Sequence, residues 1–187
     1  LIAFTDKNGA KWQYTYDSNN HLQEASDCLG NRYQYGHDAA GRLVSYTSPT
    51  GSVVAYTYSK DGSLLSMTDA DGEVLYSYDA NGSCTSITDR MGHKQQFAYN
   101  EAGQLISATD AMGAVHTFIY DDEGNLKSEK DALAYQESCQ RNQWGSVTSY
   151  TDKNGNTTSY TFDDADRLTV VRNATGGELR YAYDIMG

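Results

Sequence analysis

This chain has little of what usually builds a globular core. Leu, Ile, Val and Phe number 29 of 187 residues, below the roughly one-fifth at which a charged chain is flagged as disordered. Helical spacing of apolar residues is missing throughout, which excludes a helix bundle. No stretch approaches the ~20 apolar residues of a transmembrane helix, and Leu1 does not open a signal peptide. The chain is therefore expected to be a fragment of a larger protein. Basic charge is also scarce: 14 Lys and Arg stand against 25 Asp and Glu, a net charge of −11. Nucleic acid and anionic membranes attract Lys and Arg, so neither is expected as a partner. What is present instead is tyrosine, 16 residues of it. Disordered chains are poor in aromatics, so this one has something to fold around.

An internal repeat organises those tyrosines. A leucine-type column runs Leu1, Leu22, Leu43, Leu64, Cys84, Leu105, Leu126, Val147 and Leu168, spaced by 21 residues with one step of 20. Two glycine columns accompany it: Asn20, Gly41, Gly62, Gly82, Gly103, Gly124, Gly145, Asp166 and Gly187, and Gly9, Gly30, Gly51, Gly72, Gly92, Gly113, Ala134, Gly155 and Gly176. Together they hold 15 of the 17 glycines. Three residues before each position lies Asp, Asn or Ser, as in Asp17, Asp79 and Asp121 of one column and Asp6, Asp27 and Asp110 of the other. Such a residue favours the first position of a type I turn, where its side chain accepts a backbone N–H two residues on, and glycine suits the last. The pairs Asp79/Gly82, Asp121/Gly124, Asp27/Gly30 and Asp110/Gly113 are thus read as structural turns, along with Asp17 and Gly41.

Between turns, runs such as "AKWQYTY" and "VVAYTYS" alternate aromatic and polar residues, the period-2 pattern of a half-buried strand. The expected fold is all-β: an antiparallel meander of about 18 strands, two per repeat, forming one continuous array over residues 1–187. The residues expected to pack are Tyr14, Tyr16, Leu22, Tyr56, Tyr58, Leu64, Tyr76, Tyr78, Leu105, Leu126 and Leu168. A consistent tyrosine face is expected to demand two different turns, because one extra residue inverts the alternation. In the predicted register the Y-D-x-x-G turn carries a bulge, so that Tyr16 opposes Leu22. The T-D-x-x-G turn carries none, so that Asp27 opposes Gly30, Leu22 opposes Tyr35 and Glu24 opposes Tyr33. Thr15, Gln23, Ala25 and Gln34 then share the other face. Open sheets rarely exceed ~10 strands without curling, so the ribbon is expected to coil as a spiral wall.

The unit Y-x-Y-D-x-x-G-x-L-x-x-x-T-D-x-x-G, nearly whole in "YTYDSNNHLQEASDCLG" (14–30), "YSYDANGSCTSITDRMG" (76–92) and "FAYNEAGQLISATDAMG" (97–113), resembles the YD repeat of RHS-family proteins. The resemblance covers the whole chain, about nine repeats. It implies a β-strip spiralling into part of a hollow shell. In bacterial RHS and toxin-complex proteins such shells enclose a C-terminal toxin for delivery by a secretion system, type VI among them. Animal teneurins use a related barrel at the cell surface. The implied partners are the remaining repeats, toxin cargo of the same polypeptide and delivery machinery. Two features depart from the bacterial pattern: only "SPTG" (48–51) has a proline in the second turn, and the D-P-x-G-L segment linked to autoproteolysis is missing. No protease activity carries over.

Other chemistry finds little support. Cys28, Cys84 and Cys139 form an odd set at unrelated repeat positions without C-x-x-C, which predicts free thiols and no zinc. His21, His37, His93 and His116 occupy four different repeat positions, so convergence on a catalytic or metal site is not expected. The carboxylates of "FIYDDEGNLKSEKD" (118–131) match neither an EF-hand nor a calcium β-roll. No cofactor, metal or catalytic residue is expected. Formal glycosylation sequons occur at Asn81, Asn156 and Asn173. A carbohydrate-binding repeat module is the alternative reading, since glucan-binding repeats have a similar period; those carry Trp beside Gly, and only Trp12 and Trp144 are present here. The repeat degenerates at 131–145, where Cys139 and Arg141 replace the Tyr-x-Tyr pair. Contact with cargo or a plug would explain this, as would repeat drift.

Overall fold

A computed structural model describes residues 2–5, 7, 9 and 11–184; Leu1, Asp6 and Gly187 of the repeat columns lie outside the described residues. Among the described residues there are eighteen strands and no helix. Contacts divide the chain at Gln95/Gln96. The first unit holds β1 (Ile2–Thr5), β2 (Lys11–Tyr16), β3 (Leu22–Ser26), β4 (Arg32–His37), β5 (Leu43–Thr47), β6 (Val53–Tyr58), β7 (Leu64–Asp69), β8 (Gly72–Tyr78) and β9 (Cys84–Thr88). Then follow β10 (Lys94–Tyr99), β11 (Leu105–Thr109), β12 (Val115–Tyr120), β13 (Leu126–Lys130), β14 (Gln136–Arg141), β15 (Val147–Thr151), β16 (Thr157–Phe162), β17 (Leu168–Arg172) and β18 (Glu178–Arg180). Within each unit consecutive strands pair antiparallel, the expected all-β meander. Among the described residues no helix is long and apolar enough to cross a membrane.

The turns are more alike than the sequence suggests. In the Y-D turn, Asp17 N–H donates to the His21 carbonyl at 2.9 Å and Asn20 N–H to the Asp17 carbonyl at 3.1 Å. In the T-D turn, Asp27 N–H donates to Asn31 and Gly30 N–H to Asp27, both at 3.1 Å. Both are type I turns closed by a residue in the left-handed region, the G1-bulge hairpin. Asp27 therefore opposes Asn31, not Gly30 as expected. Glu24 pairs with Gln34 and Ala25 with Tyr33, which also overturns the predicted Glu24–Tyr33 and Leu22–Tyr35 pairs.

Parity is restored within the strands. Tyr16 opposes Leu22, as expected, but Thr15 opposes Glu24, so Gln23 is an extra residue bulged out of the ladder. The same shift recurs at Tyr58–Leu64, Tyr78–Cys84, Tyr99–Leu105, Tyr120–Leu126 and Phe162–Leu168. With two bulged turns and one bulged strand per repeat, the aromatic residues stay on one face. Ala25 belongs to that face, opposite Tyr14 and Tyr33, whereas Glu24 joins Thr15 and Gln34 on the other.

One turn does follow the expected geometry. Asp69 opposes Gly72 directly, leaving only Ala70 and Asp71 in the loop. This accounts for the single 20-residue step: the hairpin loses its bulge, and Val74 still meets Met67 on the aromatic face. Among the described residues, Ala25 is the only buried apolar side chain; Ser66, Ser86 and Ser128 are the buried polar ones.

Candidate functional site: the tyrosine face and the turn edges

Each turn is clamped by its first side chain. The Asp27 carboxylate accepts N–H groups of Leu29 and Asn31 at 2.9 Å, and Asp79 those of Asn81 and Ser83 at 2.9 Å. Asp110 accepts from Met112 and Ala114 at 2.8 and 2.9 Å. Asp121 accepts from Asn125 N–H at 2.7 Å. The glycines Gly41, Gly82, Gly113 and Gly124 each donate N–H to the carbonyl of the turn's first residue at 3.0 to 3.1 Å. The bond two residues on was legible in the sequence; the second, to the residue after glycine, was not.

These bonds stabilise the ionised carboxylates. The backbone N–H of His21 holds Asp17 below the usual carboxylate range, and the side-chain bond from Arg42 does the same for Asp38. At Asp121 burial pushes the carboxyl up, but bonds from the Asn125 backbone and side chain outweigh it and the net shift is downward. Burial raises the phenols of Tyr35 and Tyr78.

Two repeat columns meet where one Y-D turn stands beside the next. One column is the residue after the turn glycine; the other is the second tyrosine of the following repeat. The Arg42 guanidinium lies 4.9 Å over the Tyr58 ring, and Arg167 lies 4.9 Å over Tyr183, an attraction of about 0.5–1 kcal/mol at exposed sites. Arg42 also donates to the Ser59 carbonyl at 2.8 Å, and Gln104 to Gly124 at 2.8 Å, tying one turn to its successor. The same tyrosines donate their hydroxyls to leucine carbonyls: Tyr58 to Leu43 and Tyr120 to Leu105 at 2.9 Å, and Tyr183 to Leu168 at 2.7 Å. Along the face, Tyr14 opposes Ala25, Tyr56 opposes Met67, Tyr76 opposes Ile87, and Tyr35 packs on Tyr46 at 5.5 Å.

Histidine convergence was not expected, yet it occurs once. His21 and His37 fill the two meeting columns and stack at 5.1 Å, with Asp17 3.1 Å from His21 Nδ1. The predicted register missed this contact. No group of three metal-ligating side chains occurs among the described residues. Cys28, Cys84 and Cys139 are not disulfide-bonded. Asn173, one of the sequon asparagines, accepts turn N–H groups of Thr175 and Gly177 through its side-chain oxygen.

The opposite face carries a feature that was visible but unread. Ser45, Ser66, Ser86, Ser107, Ser128 and Ser149 occupy one repeat position, next to the bulged residue. The Ser66 hydroxyl lies 2.7 Å from that of Thr57, and Ser128 donates to the Glu137 carbonyl at 3.0 Å. Space is tight there: a Cβ on Gly36 would sit 2.3 Å from Ser45 Oγ.

No curated protein matches the chain by sequence. The crystal structure of TcdB2–TccC3 is similar over 99% of this chain and 14% of its own, at 16% identity and a TM-score of 0.40. A Photorhabdus luminescens Tc holotoxin pore structure is similar over 97% of this chain and 14% of its own, at 16% identity and a TM-score of 0.37. The chain therefore spans about one-seventh of the length of these structures. The RHS repeat family matches residues 16–53, and the teneurin YD-shell family matches residues 53–186. With most of its length matched by that family, the chain belongs to the teneurin YD-shell family.

Proposed function

We propose that these repeats are a structural segment of a shell that encloses or presents a C-terminal toxin of the same polypeptide, in a secreted or delivered bacterial protein. On this reading residues 1–187 act as one array within a longer wall that coils as a spiral, and their role is mechanical rather than catalytic. The observation that supports it most is where the side-chain chemistry goes. Arginine and tyrosine side chains bind neighbouring repeats together, at Arg42/Tyr58 and Arg167/Tyr183 and at the bonds from Tyr58, Tyr120 and Tyr183 to leucine carbonyls. Such a wall extends by adding repeats, as nearest-neighbour contacts allow. Its turn residues would set where strands end, and its Tyr and Leu residues would hold the strip together.

Limited proteolysis of the full-length parent protein tests containment. The C-terminal domain is expected to resist protease while the repeats are folded and to become cleavable once they are unfolded. Cleavage of that domain while the repeats remain folded would overturn the proposal.

A further inference from the structure

Six of the seven arginines have a carboxylate within salt-bridge distance: Arg32, Arg42, Arg90, Arg167, Arg172 and Arg180. Arg141 forms no salt bridge among the described residues; its charge acts on the Asp121 carboxylate only through space, and its Nη1 donates to the Gly145 carbonyl at 3.0 Å. It stands in the column that Tyr58, Tyr120 and Tyr183 fill elsewhere. With the ring gone, an open groove of about 410 Å³ lies between the turns that begin at Asp121 and Asn142. Glu123, Lys127, Gln140, Arg141 and Gln143 line it. Asp121 also lines it, but its carboxylate is engaged by the Asn125 backbone and side chain.

The other end of the same hairpin is unpaired in the opposite sense. Glu129 and Glu137 face each other directly across β13 and β14, on the aromatic face where Phe118 opposes Glu129. Like charges so placed are destabilising. The corresponding pairs elsewhere are Ala25–Tyr33, Tyr46–Val54, Met67–Val74, Ala108–His116, Tyr150–Thr158 and Val171–Leu179, none of them like-charged. Neither glutamate has a salt bridge among the described residues; Glu137 is hydrogen-bonded by Tyr150. A depression of about 90 Å³ over Leu126 and Cys139 adjoins the glutamates.

Among the described residues the hairpin thus presents a pair of carboxylates and, four residues along β14, a guanidinium, none of them in a salt bridge, over a span of about 13 Å at strand rise. We propose that this face docks an extended peptide segment of a partner, with a basic side chain against Glu129 and Glu137 and an acidic one four residues away against Arg141. Charge complementarity fixes the two ends, and Leu126 and Cys139 offer an apolar floor between them. The inference does not depend on containment of a toxin.

Fluorescence anisotropy with labelled ten-residue peptides tests it on the whole chain. One peptide carries Lys and Glu four apart; others replace either or both with Ser. The Lys/Glu peptide is expected to bind about tenfold tighter than the neutral one, each single replacement losing about threefold. The double variant E137K/R141E should lose that preference. Arg141→Tyr, which restores the repeat, should lose the contribution of the peptide's Glu while melting no lower than the parent chain. Equal binding of all peptides, or none at millimolar concentration, overturns the proposal. So does self-association by sedimentation that E137K abolishes, or saccharide binding that R141Y abolishes.

Discussion

The hairpins β5–β6 and β13–β14 occupy equivalent places in the repeat and share a backbone, yet they carry different faces. In the first, Tyr46 opposes Val54, and Tyr58 closes over Arg42 while donating to the Leu43 carbonyl at 2.9 Å. In the second, Glu129 opposes Glu137, Arg141 stands at the tyrosine position, and the Leu126 carbonyl accepts from the Cys139 thiol at 3.1 Å. Turn geometry survives this change intact. The Asp131 carboxylate still accepts the N–H groups of Leu133 and Tyr135, both at 3.0 Å. Turns therefore specify the strip, and the tyrosine face specifies how firmly neighbouring repeats hold one another.

The largest effect should come from stripping the regular hairpin to the state of the degenerate one. Tyr58→Ala removes a half-buried ring, a cation–π contact and a hydrogen bond, and is expected to cost about 2–3 kcal/mol. Arg141→Ala should change stability by less than about 0.5 kcal/mol, as for other exposed positions. Urea denaturation midpoints measure both, and equal losses would erase the distinction between the two faces.

A smaller effect lies in the turns. Ala134 takes φ 67° where the regular hairpin has Gly51 at 86°. A residue with a Cβ is strained in that region, so Ala134→Gly should stabilise by about 1 kcal/mol and Gly51→Ala destabilise by a similar amount. Thermal melts would show opposite shifts; shifts of one sign would mean that the two turns are not equivalent.

The smallest contrast is in acid. Asp38 and Asp163 have folded-state pKa values lowered, Asp38 first by the Arg42 side chain and Asp163 first by the Arg167 backbone N–H. Their contribution is complete above the ordinary aspartate range and is lost as pH falls through their lowered values. Asn142 makes the same turn bonds, to Trp144 and Ser146 N–H at 3.0 Å, without titrating. Asp38→Asn should therefore flatten part of the stability loss on acidification, whereas Asn142→Asp should steepen it.

Much of this was readable in the residues. Asp27, Gly30, Asp121 and Gly124 announce their turns because the chemistry of a type I turn is local: the carboxylate binds N–H groups within four residues. The meeting of His21 with His37, or of Arg42 with Tyr58, was not readable, because it depends on which residues of successive strands stand side by side. The paired glutamates 129 and 137 were hidden for the same reason. Nine positions of chain separate Ser128 from Glu137, and only the register places one near the other.

The sequence by itself determined the number of strands, the positions of the turns and the antiparallel meander, since each follows from a short-range pattern. Only the tertiary structure decided how the tyrosines remain on one face. Both turns are bulged alike, and the compensating residue is Gln23 and its counterparts within the strands. A bulge inside a strand is a relation between two chains of hydrogen bonds, and no residue type is required to make one.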